Sequence, residues 1–258
     1  MVALVTGAGL RIGRALALSL AKLGHDVAVH YAGSVDAAEA TANDIRSLGR
    51  KAVTLQADLL NEAEAAQLVD RASAALGGPV LVLVNNASIF EYDTITSATH
   101  ESWNRHMGSN FRAPFVLTQK MAGQVPAPDL DANGEPVAKG LVINMIDQRV
   151  RKLTPEFMTY TLAKMGLWAL TQTAAQALAP NVRVNAIGPG PTIRGVRQSE
   201  THFAKQRAAT ILERGADADG IAQALKYFHD APSVTGQLLC VDGGQHLAWQ
   251  TPDVLGLE

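Results

Sequence analysis

Short apolar runs recur along this chain, each separated from the next by a long stretch of helical pattern, and that unbroken alternation is its strongest constraint. The runs are Ala3 to Thr6, Val27 to His30, Ala52 to Gln56, Val80 to Asn85, Leu141 to Met145, Val182 to Ile187 and Leu238 to Val241. They are β-rich and apolar on successive residues, the mark of strands covered on both faces. Helical patterns occupy 12–23, 35–48, 62–76, 101–124, 155–178 and 219–229. The expected fold is α/β: one domain over 1–258 built on a doubly wound, seven-stranded parallel sheet flanked by helices.

Two segments depart from the alternation. Residues 125–139 begin with Val125-Pro-Ala-Pro-Asp and are rich in proline, glycine and acid, which predicts a flexible surface excursion before the fifth strand. Residues 189–218 follow Gly188 and carry polar helical sequence, expected to form a flap over the strand ends where ligands bind.

With 47% hydrophobic residues the chain can bury a full core, and a formal charge of −2 gives no sequence-wide attraction to nucleic acid or an anionic membrane. The first strand starts at once, leaving no room for a signal peptide, and the apolar runs are far short of a membrane span. The single cysteine, Cys240, lies in an apolar run, as expected of a buried thiol in a reducing compartment. A cytoplasmic protein without a resident metal is the expectation, because the seven histidines have no ligand-like spacing.

The first strand ends in Thr6-Gly-Ala-Gly-Leu-Arg-Ile-Gly13 with a helix directly after it. Glycines at that turn let backbone approach a phosphate, and the helix N-terminus offers free N–H groups and a positive dipole end. At the first strand of such a sheet this predicts Rossmann-type dinucleotide binding. Asp58, Asn85-Asn-Ala-Ser88, Asn110 and Gly188-Pro-Gly190 supply further polar residues near the same carboxyl edge.

Asp147 ends the fifth strand, and Tyr160 and Lys164 follow it four residues apart on a helix. That spacing puts phenol and ammonium on one helical face, where the charge can bring a proton donor of pKa about 10 closer to neutrality.

Taken together, these motifs resemble the short-chain dehydrogenase/reductases over essentially the whole length. That family usually has serine where this chain has Asp147. The departure, together with Arg11 in the glycine loop, Ser88 after Asn85-Asn-Ala and Phe90, is most similar to the pteridine and dihydropteridine-type reductases.

The resemblance implies a catalytic set of Asp147, Tyr160, Lys164 and Asn110, with Asn110 supporting a water chain. It implies cofactor contacts at Gly7, Arg11, Ile12, Gly13, His30, Tyr31, Ser34, Asp58, Leu59, Asn85, Ala87, Ser88, Tyr160, Lys164, Pro189, Gly190 and Thr192. Substrate contacts would be Arg11, bridging pyrophosphate and substrate, with Ser88, Phe90 stacking on a flat ring, Asp147 and Tyr160. The second strand ends His30-Tyr-Ala-Gly-Ser34 without an acid for the ribose 2′-OH, so NADPH/NADP is expected over NADH, with His30 and Ser34 as phosphate contacts. The implied reaction is hydride transfer to a pterin or folate-type C=N bond, with Tyr160 delivering the proton and Lys164 holding its pKa down. The alternatives are a carbonyl reductase of the same family and a weakly catalytic NADPH-binding scaffold. The family resemblance also implies a homotetramer or homodimer.

Overall fold

The computed structural model of the chain describes residues 1–195 and 198–249. Val196 and Arg197 of the expected flap, and residues 250–258 of the expected domain, lie outside them. In chain order the first half comprises β1 (Val2–Val5), α1 (Arg11–Lys22), β2 (Asp26–Tyr31), α2 (Val35–Ser47), β3 (Ala52–Gln56), α3 (Glu62–Leu76) and β4 (Val80–Asn85). After β4 come α4 (His100–Met107), a π turn at Gly108–Arg112, α5 (Ala113–Ala122) and a hairpin of β5 (Asp129–Leu130) and β6 (Pro136–Val137). The rest is β7 (Gly140–Met145), a 3₁₀ turn at Gln148–Arg151, α6 (Met158–Leu178), β8 (Val182–Pro189), α7 (Glu200–Ala208), α8 (Ala218–Asp230) and β9 (Leu238–Val241).

The main sheet runs β3-β2-β1-β4-β7-β8-β9, and every adjacent pair is parallel. Strand order therefore reverses between β1 and β4, which opens a crevice beyond their carboxyl ends. Neighbouring strand residues serve opposite layers, as the pleat requires. Leu4, Leu83 and Val142 pack with Leu68, Leu117 and Met121 of α3 and α5. Val5, Val84 and Ile143 pack with Leu16, Leu20, Leu225 and Phe228 of α1 and α8. Burial on both faces is why the strands read as continuous apolar runs.

Three elements differ from the sequence expectation. The helix expected over 101–124 is two helices joined by the π turn. The helix expected from Pro155 begins at Met158, because Phe157 adopts left-handed backbone (φ 56). The excursion at 125–139 contains the hairpin, whose turn is held by the Asp131 carboxylate accepting the N–H groups of Asn133 and Glu135 at 2.8 and 2.9 Å. No helix among the described residues is long and apolar enough to cross a membrane.

Candidate active site

The glycine loop is fastened from behind. Thr6 Oγ1 accepts the N–H groups of Asn86 and Ala87 at 2.9 and 3.0 Å, while the Asn86 amide donates to the Thr6 and Gly7 carbonyls at 2.9 and 3.1 Å. Gly7 needs its left-handed φ of 61°, and a Cβ on Gly13 would be driven into the Gly7 carbonyl. No side chain caps the N-terminus of α1, and its first turn carries no acid, which suits an anionic group. Ile12 packs partly against the core.

His30 is not the phosphate contact expected of it. Its Nδ1 accepts the Gly7 N–H at 3.0 Å and its Nε2 faces the Ala57 carbonyl at 3.1 Å, so both ring nitrogens are used. Burial lowers its pKa to about 4, which makes it neutral and a pin for the loop. Ser34, by contrast, stands exposed at the N-cap of α2 without a side-chain cap bond, beside part-buried Tyr31.

Asn85 also differs from expectation, since its amide donates to Asn144 Oδ1 at 2.8 Å inside the sheet. Asp58 is exposed and accepts the Leu60 N–H at 2.9 Å, whereas Leu59 is buried in the core. At the end of β8, Gly190 comes so close to Asp242 that a Cβ would sit 2.6 Å from the aspartate's own, just after Pro189. Thr192 donates to the Gly190 carbonyl at 3.1 Å.

Arg11 holds an unusual left-handed φ of 55° and donates to the carbonyls of Ile193 and Arg194 at 2.8 and 2.7 Å. In this state it ties the glycine loop to the 189–218 segment. The segment's start is held as well by the Gly190 N–H donating to the Val241 carbonyl at 3.1 Å and by Arg207 of α7 donating to the Pro191 carbonyl at 2.8 Å.

On the far side of the crevice the Tyr160 hydroxyl donates to Asp147 Oδ2 at 3.0 Å, and Lys164 Nζ donates to the Met145 carbonyl at 2.8 Å. Asp147 receives the Arg149 N–H at 2.8 Å on its other oxygen. Burial raises the Asp147 pKa, against the pull of Arg149, Tyr160 and Lys164. Burial and the neighbouring carboxylate push Tyr160 well above its ordinary value. Lys164 falls to about 8 through burial, opposed by Asp147. The sequence expectation that lysine holds the phenol's pKa down is therefore reversed here, because burial first, and the Asp147 carboxylate second, raise it.

Phe90 is 48% exposed and meets Tyr160 edge-on at 4.7 Å. Phe157 stacks on it at 4.3 Å, with the Arg149 guanidinium 5.1 Å from the Phe157 ring centre. Exposed Ser88 lies two residues before Phe90, and between them Ile89 is gripped by Asn110, which accepts its N–H and donates to its carbonyl, both at 2.8 Å. Asp147, Tyr160, Lys164 and Phe90 thus share one wall of the crevice.

Sequence reasoning gave Asn86 no role of its own within Asn85-Asn-Ala-Ser88 and missed His106, Asp93, Thr159, Arg149 and Phe157. Asn86 could have been chosen over Asn85 from the alternation of strand faces. The stacking of Phe157 depends on a left-handed residue and has no local signal.

A family model described as short chain dehydrogenase matches residues 1–205. The 3-oxoacyl-[acyl-carrier-protein] reductase FabG of Staphylococcus epidermidis is 30% identical over 95% of this chain and 98% of its own. The FolM alternative dihydrofolate reductase 1 of Brucella suis, solved with NADP, superposes with a TM-score of 0.89 at 44% identity, covering 98% of this chain and 97% of its own. A short chain dehydrogenase from Burkholderia cenocepacia, also solved with NADP, gives 0.84 at 30% identity over 95% and 97%. With its parallel sheet, glycine loop and Tyr160/Lys164 pair, the chain belongs to the short-chain dehydrogenase family.

Proposed function

We propose that this oxidoreductase uses NADPH to reduce a C=N bond of a pterin or folate-type substrate. The observation that carries the proposal is the Tyr160 hydroxyl bonded to the Asp147 carboxylate at 3.0 Å beside an exposed Phe90 ring. A carboxylate at this place can accept the amino and ring N–H groups of a pterin, which a serine hydroxyl does less well. The similar FolM proteins support the same substrate class.

Gly7 and Gly13 make the backbone cradle that a dinucleotide pyrophosphate needs, the uncapped N-terminus of α1 offers N–H groups, and the unused Ser34 hydroxyl suits a 2′-phosphate. Bound there, NADPH supplies the hydride that goes to the C=N carbon. Tyr160 gives its proton to the ring nitrogen once its hydroxyl turns from Asp147 to the substrate. Lys164, positive in this setting, stabilises the phenolate left behind, and a water chain held near Asn110 returns a proton from solvent. Phe90 stacks on the flat ring, Ser88 lies beside it, and Asp147 holds its N–H groups. Arg11 bridges pyrophosphate and substrate once it leaves the Ile193 and Arg194 carbonyls. Tyr31, Asp58, Ala87, Pro189, Gly190 and Thr192 line the rest of the cofactor crevice. We place the protein in the cytoplasm as a homotetramer or homodimer.

NADPH oxidation measured with dihydropterins, dihydrofolate and simple ketones tests this reading. Turnover of the pterin class supports it. Turnover of ketones alone overturns it in favour of carbonyl reduction, which the similarity to 3-oxoacyl-[acyl-carrier-protein] reductases favours.

A further inference from the structure

Beneath the wall just described lies a buried polar network whose His106 ring meets the Tyr160 ring edge-on at 6.0 Å. Asp93 is 2% exposed, Thr159 2% and His106 fully buried. Asp93 Oδ1 accepts the Thr159 N–H at 3.1 Å, and its Oδ2 accepts both the Thr159 hydroxyl at 2.5 Å and the Ser102 hydroxyl at 3.0 Å. Its backbone carbonyl accepts the Met158 N–H at 3.3 Å. His106 Nδ1 lies 2.6 Å from Thr159 Oγ1, and its Nε2 accepts the Glu91 N–H at 3.1 Å.

These bonds fix one consistent set of protons. With Nε2 as acceptor, the neutral imidazole carries its proton on Nδ1 and donates it to Thr159 Oγ1. The threonine then donates to an ionised Asp93. Burial pushes that carboxyl's pKa up, but the bonds from Thr159 and Ser102 together hold it below its ordinary value.

The position of the network gives it a use. α6 begins at Met158 behind a left-handed Phe157 that offers no side-chain cap, so the first N–H groups of the helix need partners from elsewhere. Asp93 supplies them, with a negative charge at the positive end of the helix. The third residue of that helix is Tyr160. At its other end the network holds Glu91, next to Phe90.

We propose that Asp93, His106 and Thr159 are positioning residues that set the distance and angle between the Tyr160 hydroxyl and the ring-stacking face of Phe90. The proposal rests on Tyr160 being the acid, as argued above. The Thr159 hydroxyl is its hinge, since it alone accepts from His106 and donates to Asp93. The network's contribution is geometric, so it governs the proton-delivery step and leaves cofactor binding alone.

The test is Thr159→Val, which keeps the shape and deletes the hydroxyl, measured beside Thr159→Ser and in both the parent and Tyr160→Phe backgrounds. In the parent, kcat with a dihydropterin should fall roughly 10- to 100-fold, the range a small misplacement of reacting groups produces. NADPH affinity should stay within about twofold, and the pH profile of kcat should shift with the drop. Thr159→Ser should restore kcat to within about threefold of the parent. In the Tyr160→Phe background the same Thr159→Val change should alter the residual rate by less than about threefold, because the group being positioned is gone.

An equal loss in both backgrounds, or a serine variant no better than valine, overturns the proposal. Should Thr159→Val fail to fold, Asp93→Asn in the same two backgrounds gives the same decision. A Tyr160→Phe enzyme as fast as the parent removes the acid assignment and this proposal with it. Additive losses with a slow Tyr160→Phe enzyme remove the proposal alone.

Discussion

The two walls of the crevice are finished to different degrees. On the cofactor wall, loop bonds run away from the ligand: Gly7 to His30, Asn86 to the Thr6 and Gly7 carbonyls, and Ala87 to the Thr6 hydroxyl. The backbone groups meant for a phosphate are left open. On the substrate wall the groups facing the ligand satisfy one another, Tyr160 on Asp147, Phe157 on Phe90 and, from across the crevice, Arg11 on the 189–218 segment. One wall is ready before anything binds. On the proposed mechanism the other exchanges its internal partners for those of the substrate, so loss of a group there should show in turnover or KM and hardly in cofactor affinity.

The largest test of that difference is Tyr160→Phe. Removing the acid should cut kcat by roughly 100-fold or more while NADPH affinity, measured by fluorescence titration, is unchanged. A rate within about threefold of the parent would mean that the proton comes from elsewhere.

Gly13→Ala should do the reverse. The added methyl meets the Gly7 carbonyl and comes 2.5 Å from the Asn86 amide, both held by the loop's own bonds. Overpacking of this kind costs up to about 3 kcal/mol, so NADPH should bind on the order of 100-fold more weakly, with a smaller change in kcat at saturation. Unchanged NADPH binding would show that the cofactor wall yields as readily as the other.

Asp147→Ser restores the family's usual hydroxyl. It should lower kcat/KM for dihydropterins by about tenfold or more through loss of charge-assisted bonds, and leave NADPH affinity nearly as it was. Pterin turnover indifferent to this change would sink the recognition role of the carboxylate.

Acid separates the walls by another route. Burial holds His25 and His30 near pKa 4, against an ordinary 6.5. Below pH 6.5 the unfolded chain binds protons that the folded chain refuses, so stability is complete above pH 6.5, falls towards pH 4 and levels off below it. Each histidine can contribute on the order of 3 kcal/mol to that loss. Urea midpoints measured from pH 7 to 4 should drop accordingly, and NADPH affinity should weaken over the same window because His30 pins Gly7. A flat profile would show that the histidines are not buried neutral.

The smallest effect expected is for Phe157→Ala. It removes the ring backing Phe90 and should raise the pterin KM a few-fold, consistent with about 0.5–1.5 kcal/mol for an aromatic pair. A larger change in NADPH affinity than in KM would place Phe157 on the wrong wall.

How much of this could be read in the sequence follows from the same contrast. The seven strands were legible because each is buried on two faces, and the glycine loop because its chemistry is local. Asp147, Tyr160 and Lys164 were legible as a set because one strand end and one helical turn bring them together. What could not be read were the partners. Nothing near His30 shows that both its nitrogens are taken by residues 7 and 57, so an interior pin looked like a phosphate ligand. Asn85 and Asn86 are identical in type, and only the strand's facing decides which one braces the glycine loop. Arg11 looked free for a ligand because the carbonyls it holds lie at residues 193 and 194.

The π turn at Gly108–Arg112 carries a last consequence, for changes in chain length. A wide turn holds an extra residue, and each residue of a regular helix advances about 100°. Removing one residue from this stretch would let α4 and α5 merge into one continuous, better-bonded helix. It would also swing everything upstream by about that angle relative to α5. His106 would leave Thr159, and Asn110, inside the turn itself, would lose its grip on Ile89. A single-residue deletion here should therefore lower both the melting temperature and the turnover, because buried His106 and Asn110 would lose the partners that satisfy them.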